Sequence, residues 1–303
     1  LKLPLIFNVG PTCIGKSNFA ISLAKNINGE IINADSMQVY SNLKILTARP
    51  SLQDHKILPH HLYGYVNGYE RYNVAKWCED ISQIIKKNDK KNIYSVIVGG
   101  TGLYIDKLLN GIANIPYIPE SFKKESNDLL LKIGLESFYN KVFKIDKTSC
   151  EKISQKDSQR LMRIWEVFQS TKKPLSEWIK TKYNYLDNIN YKIFLFTPNR
   201  DEIYKRVNLR FKEMIKYGAI EEVQKLLLLN LDKSLPIMKA HGVPEISKYI
   251  SGKHNIEDCI YKGQLVTRNY VKRQLTWWKA SKLVFHEVLS DFPSNFDIKQ
   301  LNF

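Results

Sequence analysis

Cysteine is scarce in this 303-residue chain, and its placement excludes two common uses. The four cysteines are far apart and form no CxxC pair, which argues against a zinc site and against a disulfide framework. No hydrophobic stretch is long enough to span a bilayer. The apolar N-terminus runs directly into a glycine loop, so we interpret it as a core strand rather than a signal peptide. These absences fit a reduced setting, cytoplasmic or organelle-matrix, and we predict a cytoplasmic protein with no zinc and no membrane association.

Acidic residues are also few. Asp and Glu total 30 against 46 Lys and Arg, which gives a formal net charge of +16. A basic surplus of this size favours a polyanionic partner such as nucleic acid, although a generically basic protein has the same composition. The apolar content of 44% is ample for one large domain or two smaller ones.

The glycine loop near the N-terminus is the most informative segment. Gly10-Pro11-Thr12-Cys13-Ile14-Gly15-Lys16-Ser17 fits the pattern G-x-x-x-x-G-K-[ST] and lies between a strand-like stretch, Leu3–Val9, and a helix-like one, Asn18–Ile27. In that context backbone N–H groups and the helix N-terminus form a cradle for an anion. Lys16 supplies a positive charge, and the Ser17 hydroxyl is a ligand for magnesium. The segment predicts polyphosphate binding without identifying the compound.

Strands and helices alternate along the first part of the chain. Further short apolar strands are predicted at Glu30–Ala34 and Ile93–Val98, with a helix at Val74–Lys87 between them. This order predicts an α/β fold, a P-loop parallel sheet core flanked by helices. From residue 115 the pattern is helical only, until Tyr191–Thr197 returns as a strand. We therefore predict a core of residues 1–114 and 191–303 with a helical C-terminal part, interrupted by an all-helical insertion at residues 115–190.

Two more candidate positions follow predicted strands, at the sheet edge where the glycine loop lies. Asp35 could hold magnesium through water or accept a proton from a nucleophile, or it could cap a turn. Gly99-Gly100-Thr101 stands where a P-loop NTPase has a metal-binding carboxylate, which weakens an ATPase interpretation. Thr101 fits two roles equally well, a hydrogen bond to a phosphate oxygen or the cap of a tight turn.

Basic side chains on predicted helices are candidates for contacts with anions or RNA. Gln159, Arg160 and Arg163 lie away from the apolar face of a helix that begins after residue 157. Arg206 and Arg210 are about one turn apart, beside an apolar stripe of the same helix. They could reach a pyrophosphate or form surface ion pairs.

The last long helix, Ile256–Ser281, also carries a basic stripe that includes Lys272. We assign Trp278 to the core because it lies on the apolar face, whereas Trp277 fits either packing or stacking on an unpaired base. Two adjacent histidines, His60-His61, point apart on a helix or strand and fit a structural role better than a metal site.

Taken together, these segments resemble the tRNA dimethylallyltransferases, also called tRNA isopentenyltransferases, of the bacterial type without a zinc finger. The resemblance covers nearly the whole chain, and the motifs in this order are specific. The motifs are Gly10–Ser17, Asp35-Ser36-Met37-Gln38-Val39-Tyr40, His60-His61-Leu62, Gly99–Tyr104, Asp157–Leu161, Arg206–Arg210 and Lys272–Trp277.

The resemblance implies transfer of a dimethylallyl group from dimethylallyl diphosphate to the exocyclic amine of the adenosine immediately 3′ of the tRNA anticodon. It implies that Asp35 orients this amine and takes its proton. Thr101 and Arg210 would hold the diphosphate together with Lys16 and Ser17, and magnesium would bridge the phosphates. Neutralising the diphosphate makes it a better leaving group.

The same resemblance implies the contacts with tRNA. The helical insertion corresponds to a clamp on the anticodon arm, and the segment after the second strand lies near the flipped adenosine. The implied tRNA-binding residues are Asp35, Ser36, Met37, Gln38, Gln159, Arg160, Leu161, Met162, Arg163, Lys272 and Arg273.

The chain departs from the family pattern at three places. Cys13-Ile14 stands where the family usually has Ala-Ser, Leu46 where Gly is common, and residues 240–245 where Gly-Tyr-Arg is more usual. We expect the side chains of Cys13 and Ile14 to point away from a cradle made by backbone groups.

Two other functions fit part of the sequence. One is prenylation of free adenine nucleotides, against which the helical insertion and the net charge argue. The other is an RNA-binding P-loop ATPase, against which the missing carboxylate after the third strand argues.

Overall fold

The structure is a computed structural model that describes residues 1–298. Its strands are β1 (Leu5–Val9), β2 (Gly29–Asn33), β3 (His60–His61), β4 (Tyr94–Gly99), β5 (Ile112–Ala113), β6 (Lys182–Tyr183), β7 (Tyr191–Phe196) and β8 (Glu287–Leu289). Its helices are α1 (Lys16–Asn26), α2 (Leu52–Ile57), α3 (Val74–Lys90), α4 (Gly102–Asn110), α5 (Glu120–Ile145), α6 (Lys147–Cys150), α7 (Ser158–Thr171), α8 (Leu175–Trp178), α9 (Arg200–Lys216), α10 (Ala219–Leu228), α11 (Val243–Ile250) and α12 (Ile256–Ala280). Among these helices none is long and apolar enough to cross a membrane.

A six-stranded sheet forms the centre of one part of the chain, with the strand order β3-β2-β4-β1-β7-β8. All neighbouring strands are parallel, and Ile6 of β1 pairs with Val96 of β4 on one side and with Lys192 of β7 on the other. The α/β fold with a parallel central sheet that the sequence predicts is thereby confirmed. Because β2, β4 and β1 are neighbours, the loops that follow them leave the same edge of the sheet.

The core of this part lies on both faces of the sheet. Every residue of β1 is buried, which explains why all but Asn8 are apolar; the Asn8 Nδ2 donates to the Lys16 carbonyl at 2.8 Å. Phe19 and Leu23 of α1 pack into the same apolar cluster as Val207 of α9 and Val271 of α12. Three helices that are distant in sequence are thus fixed against the strands that carry the loops.

The chain divides into two units. The sheet belongs to the unit made of Leu1–Leu109 and the described residues from Tyr185 onward, and the second unit is Asn110–Asn184. The last residues of the predicted core, 299–303, lie outside the described residues.

Helices dominate the second unit. α5 packs against α7 around buried apolar side chains that include Phe138, Leu161 and Trp165. Asp157 caps the N-terminus of α7, as predicted, with its side chain accepting from the Arg160 N–H. Apolar residues on one face of α7 therefore form the centre of this unit.

Two short pairings differ from the sequence-based prediction. β5 and β6 form an antiparallel pair inside the second unit, so the insertion is not all-helical. β8 extends the main sheet beside β7, so the C-terminal part is not helical throughout. Strands of two or three residues are too short to show a period, and their pairing partner rather than their own sequence determines them.

Candidate active site

The loops that follow β2 and β4 contact each other at the carboxyl edge of the sheet. The loop after β2 carries Asp35, and the loop after β4 carries Thr101. The Ser36 backbone N–H donates to Thr101 Oγ1 at 3.2 Å, and the Thr101 N–H donates to the Ala34 carbonyl at 3.3 Å. A Cβ at Gly99 would lie 2.2 Å from that same carbonyl oxygen, so this approach requires glycine. The β2 and β4 loops are therefore fixed to each other.

The loop from β1 to α1 has the shape of an anion cradle. Gly10 has φ 147° and Gly15 has φ 91°, a region of backbone space that favours glycine. A Cβ at Gly10 would meet the Phe196 carbonyl oxygen at 2.5 Å. Gly15 precedes the first residue of α1, so the free N–H groups of that helix end face the loop.

Lys16 bends back over this loop. Its Nζ donates to the Pro11 carbonyl at 2.5 Å. Burial lowers the pKa of Lys16 to about 8, while the nearby Asp35 carboxylate acts in the opposite direction. An anion in the cradle would raise this pKa, because a neighbouring negative charge favours the ammonium form. The charge of Lys16 therefore depends on what the loop holds.

Gln274 of α12 joins the glycine loop to the β4 loop. Its Oε1 accepts from the Thr12 N–H at 2.9 Å, and its Nε2 donates to the Gly100 carbonyl at 3.0 Å. The side chain is only 4% exposed. Sequence reasoning assigned no role to this residue. One signal was available in the sequence. Gln274 lies between Val271 and Trp278 on the apolar face of the helix, and a polar residue at such a position indicates a buried hydrogen-bonding role.

Asp35 caps a turn, which is one of the roles that the sequence left open, and its functional role stays a prediction. Its Oδ1 accepts from the Met37 N–H at 2.9 Å and the Gln38 N–H at 3.3 Å, which caps the turn after β2. Within the part of the chain that the structure describes, its Oδ2 makes no hydrogen bond. The carboxylate also faces Lys16 and Tyr270, and it contributes to the raised pKa of that tyrosine. One carboxylate oxygen thus holds the loop, and the other can meet a ligand.

Arg210 reaches the glycine loop from α9. Its Nη1 donates to Cys13 Sγ at 3.3 Å. This contact corrects the expectation that the Cys13 side chain points away from the cradle: Cys13 has φ 67°, which turns its side chain toward the site. Ile14 is buried in the core, as expected. Arg206, one turn earlier, stacks on Phe292 instead, with its guanidinium 3.5 Å from the ring centre.

Two cavities adjoin at this point. One has a volume of about 280 Å³ and the other of about 350 Å³, and Thr12, Cys13, Asp35 and Arg210 belong to the walls of both. The smaller, polar cavity is also lined by Lys16, Ser17, Gln38, Arg49, Tyr63 and Gly100. The larger, apolar cavity is also lined by Leu46, Val207, Phe211, Met214, Ala240 and Tyr270. A molecule with an anionic head and an apolar tail fits this pair, with the joint beside Asp35.

The predicted site residues are not all on these walls. Thr101 lines neither cavity, and its hydroxyl oxygen accepts from the Ser36 N–H at 3.2 Å. Ser36 and Met37 line the apolar cavity, and Gln38 lines the polar one and donates to the Thr47 carbonyl at 2.8 Å. The loop after β2 therefore takes part in both cavities.

In the second unit, the predicted RNA-contacting segment of α7 separates into two faces. Gln159, Arg160 and Arg163 are exposed, and Arg163 lies 4.0 Å from Glu166. Leu161 is 0% exposed in the core of that unit, so its side chain is not available for the predicted contact with tRNA. Met162 packs partly against the same core. Helical periodicity explains the split, because consecutive residues point to different sides.

The basic end of α12 is exposed at Lys272 and Arg273, and the Arg273 guanidinium lies 5.6 Å from the Tyr270 ring centre. Trp278 is 1% exposed, which confirms its assignment to the core. Trp277 packs on Gly102, where a Cβ would lie 2.1 Å from the indole ring. That contact explains a residue whose role the sequence left open.

The two adjacent histidines have structural partners. His61 Nε2 lies 2.7 Å from Glu30 Oε2, and His60 Nδ1 lies 2.9 Å from the Leu58 carbonyl. Over residues 1–298, no group of three or more His, Cys, Asp or Glu side chains is arranged to hold a metal ion.

Comparisons with known families and curated proteins agree with one another. The IPP transferase family model matches residues 38–281, and the isopentenyl transferase model matches residues 2–58. A tRNA dimethylallyltransferase of Bartonella henselae is 43% identical over 89% of this chain and 93% of its own length. One of Pelagibacter ubique is 40% identical over 90% of this chain and 87% of its own length.

Solved structures give the same result. The full-length tRNA isopentenylpyrophosphate transferase of Bacillus halodurans aligns with a TM-score of 0.69 and 28% identity, covering 98% of this chain and 93% of that one. A eukaryotic dimethylallyltransferase acting on tRNA aligns with a TM-score of 0.75 and 27% identity, covering 90% of this chain and 69% of that one.

Proposed function

The chain belongs to the IPP transferase family, and on this premise we propose how its site acts. The protein is a tRNA prenyltransferase, as its relatives are. We propose that it moves the dimethylallyl group of dimethylallyl diphosphate to the exocyclic amine of the adenosine immediately 3′ of the anticodon. The observation that supports this most is the meeting of a polar and an apolar cavity at Asp35 and Arg210. The donor has the same two parts, and its reacting carbon lies between them.

The polar cavity suits the diphosphate. Backbone N–H groups of the glycine loop, the Lys16 ammonium and the Arg210 guanidinium converge there and neutralise the charge that develops as the diphosphate leaves. The Ser17 hydroxyl is an oxygen donor on the same wall and would hold Mg²⁺ together with the phosphate oxygens. When bound, this ion would supply further positive charge to the phosphate oxygens.

Asp35 is proposed as the proton acceptor. The amine nitrogen attacks the first carbon of the allyl group, the carbon–oxygen bond to the diphosphate breaks, and the diphosphate leaves with the electron pair. The amine proton passes to the Asp35 carboxylate. Thr101 supports this arrangement from behind by holding the turn that carries Asp35.

The second unit is proposed as the clamp on the anticodon arm. Gln159, Arg160 and Arg163 are exposed on α7 and suit phosphate contacts, as do Lys272 and Arg273 on α12. We also propose a cytoplasmic location, because the acceptor is tRNA. Independence from zinc stays a prediction.

Single-turnover transfer from labelled dimethylallyl diphosphate with Mg²⁺ tests the function. The acceptors are a tRNA with the target adenosine, the same tRNA with guanosine at that position, and AMP. Label on the first alone is the expected result. Label on AMP at comparable rate would assign the chain to nucleotide prenylation, and no label on any acceptor would refute prenyl transfer.

The role of Asp35 is tested separately with Asp35→Asn. This variant keeps Oδ1 as the acceptor for the Met37 and Gln38 N–H groups and removes the negative charge. We expect transfer to slow by about 10²- to 10⁴-fold, the usual contribution of a positioned base, with tRNA affinity and Tm unchanged. Full activity of Asp35→Asn would show that Asp35 is not the proton acceptor and serves only to cap the turn.

A further inference from the structure

The loop after β3 reaches the same edge of the sheet and contributes a tyrosine to the polar cavity. β3 pairs in parallel with β2, and His61 lies beside Ile32. The residues that follow β3 therefore lie next to the loop that carries Asp35. Tyr63 is the second residue after β3, and it lines the polar cavity.

The backbone on both sides of Tyr63 is fixed. The Leu62 carbonyl accepts from Asn33 Nδ2 at 3.0 Å, and the Gly64 N–H donates to the Gln38 carbonyl at 2.9 Å. Leu62 has φ 63°, in the left-handed region that residues other than glycine seldom adopt. Hydrogen bonds to β2 and to the loop after it thus hold Tyr63 in one place on the cavity wall.

The ring of Tyr63 packs against other side chains. The His60 ring centre lies 5.8 Å from it and the His55 ring centre 6.3 Å, both in edge-to-face arrangements. The ring also packs against the apolar cluster that contains Phe19 and Leu23. These contacts fix the ring without using its hydroxyl group.

The hydroxyl group of Tyr63 is a donor without an acceptor. Within residues 1–298 it makes no hydrogen bond. Burial raises the pKa of Tyr63, and the nearby Asp35 carboxylate acts in the same direction, so the hydroxyl stays protonated at neutral pH. A donor that is withdrawn from water and has no acceptor costs free energy, which a ligand in the cavity would recover.

We propose that the Tyr63 hydroxyl donates a hydrogen bond to the diphosphate of the allylic substrate and is a further binding residue of this site. The proposal rests on the proposed function, because it assigns the diphosphate to the polar cavity. As the carbon–oxygen bond breaks, the electron pair and its charge stay on the diphosphate, and a positioned hydrogen-bond donor stabilises that charge. Tyr63 keeps its proton throughout.

The diphosphate is favoured as acceptor over the Asp35 carboxylate. This carboxylate is near enough to act on the pKa of Tyr63, yet the part of the chain that the structure describes shows no hydrogen bond between the two. Tyr63 borders the same cavity as Gly15, Lys16 and Ser17 of the glycine loop. An anion bound by that loop would bring acceptor oxygens into the space that Tyr63 borders.

Tyr63→Phe removes the hydroxyl and keeps the ring with its contacts. Calorimetry measures the Kd of inorganic pyrophosphate with Mg²⁺ for the protein without tRNA, and transfer to tRNA gives kcat/KM for dimethylallyl diphosphate. We expect the Kd to rise and kcat/KM to fall by at least ~10-fold, the effect of losing one hydrogen bond to a charged group. The KM for tRNA should stay unchanged, and Tm should not fall, because the hydroxyl makes no bond within the described chain.

Tyr94→Phe is the matched control. Tyr94 is also partly buried and packs against the same apolar cluster, but it begins β4 at the opposite edge of the sheet and lines neither cavity. Its pyrophosphate Kd and its kcat/KM should equal those of the unmodified protein. An equal loss in Tyr94→Phe and Tyr63→Phe would overturn the proposal, because the effect would then come from the core.

The other failures are distinguishable. An unchanged pyrophosphate Kd in Tyr63→Phe would refute the proposal. A displaced pH profile of kcat with that Kd unchanged would do so too, because the hydroxyl would then act on Asp35. Absence of transfer to tRNA by the unmodified protein would refute the proposed function, and the pyrophosphate Kd would still decide whether Tyr63 binds the anion.

Discussion

Replacing Gln274 tests how the glycine loop is held in shape. Gln274→Ala removes the acceptor of the Thr12 N–H and the donor to the Gly100 carbonyl, bonds of 2.9 and 3.0 Å. Both backbone groups then lose a buried protein partner. The loop and α12 keep only their van der Waals contacts at this point.

The magnitude follows from these two bonds. A buried polar group that loses its partner costs about 1–3 kcal/mol. Thr12 and Gly100 both border the polar cavity, where water can replace part of each bond. We therefore use the lower limit for each and expect a loss of about 2 kcal/mol in the free energy of unfolding. For a unit of this size, that lowers Tm by roughly 4–8 °C.

The assay combines thermal unfolding with transfer kinetics. We expect a higher KM for dimethylallyl diphosphate and an unchanged KM for tRNA, because the cradle loosens. Gln274→Glu is the matched variant. It keeps the acceptor for Thr12 but cannot donate to Gly100, and its negative charge faces the cradle, so its KM should rise further. Unchanged Tm and unchanged KM in Gln274→Ala would refute the idea that α12 holds the loop.

Two other predictions concern the cradle itself. Since the pKa of Lys16 is about 8 and the charged form exists below it, kcat/KM for dimethylallyl diphosphate should fall as pH rises through 8. Lys16→Arg should abolish this fall in kcat/KM. The same fall in both proteins would show that Lys16 is not the group that titrates. Cys13 is partly exposed and the other three cysteines are buried, so iodoacetamide should inactivate the protein at Cys13 alone. Inorganic pyrophosphate should slow this inactivation, and the Cys13→Ser variant should resist iodoacetamide. Inactivation of Cys13→Ser at the normal rate would show that another group reacts.

Local patterns are sufficient to predict a large part of this site. The segment from Gly10 to Ser17 carries its own backbone preferences in two glycines, and its flanking strand and helix follow from hydrophobic pattern. Asp35 and Thr101 could be assigned to the same place because parallel strands end at one sheet edge. These inferences need no knowledge of which distant residues meet.

The features that sequence missed depend on distant contacts. Gln274 is 262 positions from Thr12, and its role exists only when α12 packs beside the sheet. Phe211 has the apolar spacing of any core residue, and only the folded chain distinguishes a cavity wall from a packed interior. The direction of the Cys13 side chain depends on a positive φ, and a cysteine in the sequence does not predict a positive φ.

The short β5–β6 pair has an evolutionary consequence. Ile112 pairs with Tyr183 and Ala113 with Lys182, so the second unit leaves at nearly the point where it enters. A segment whose ends meet can be added to a gene, or exchanged for another, without forcing the surrounding chain to reroute. The clamp that we propose for this unit could therefore be altered or exchanged without changing the residues that line the two cavities.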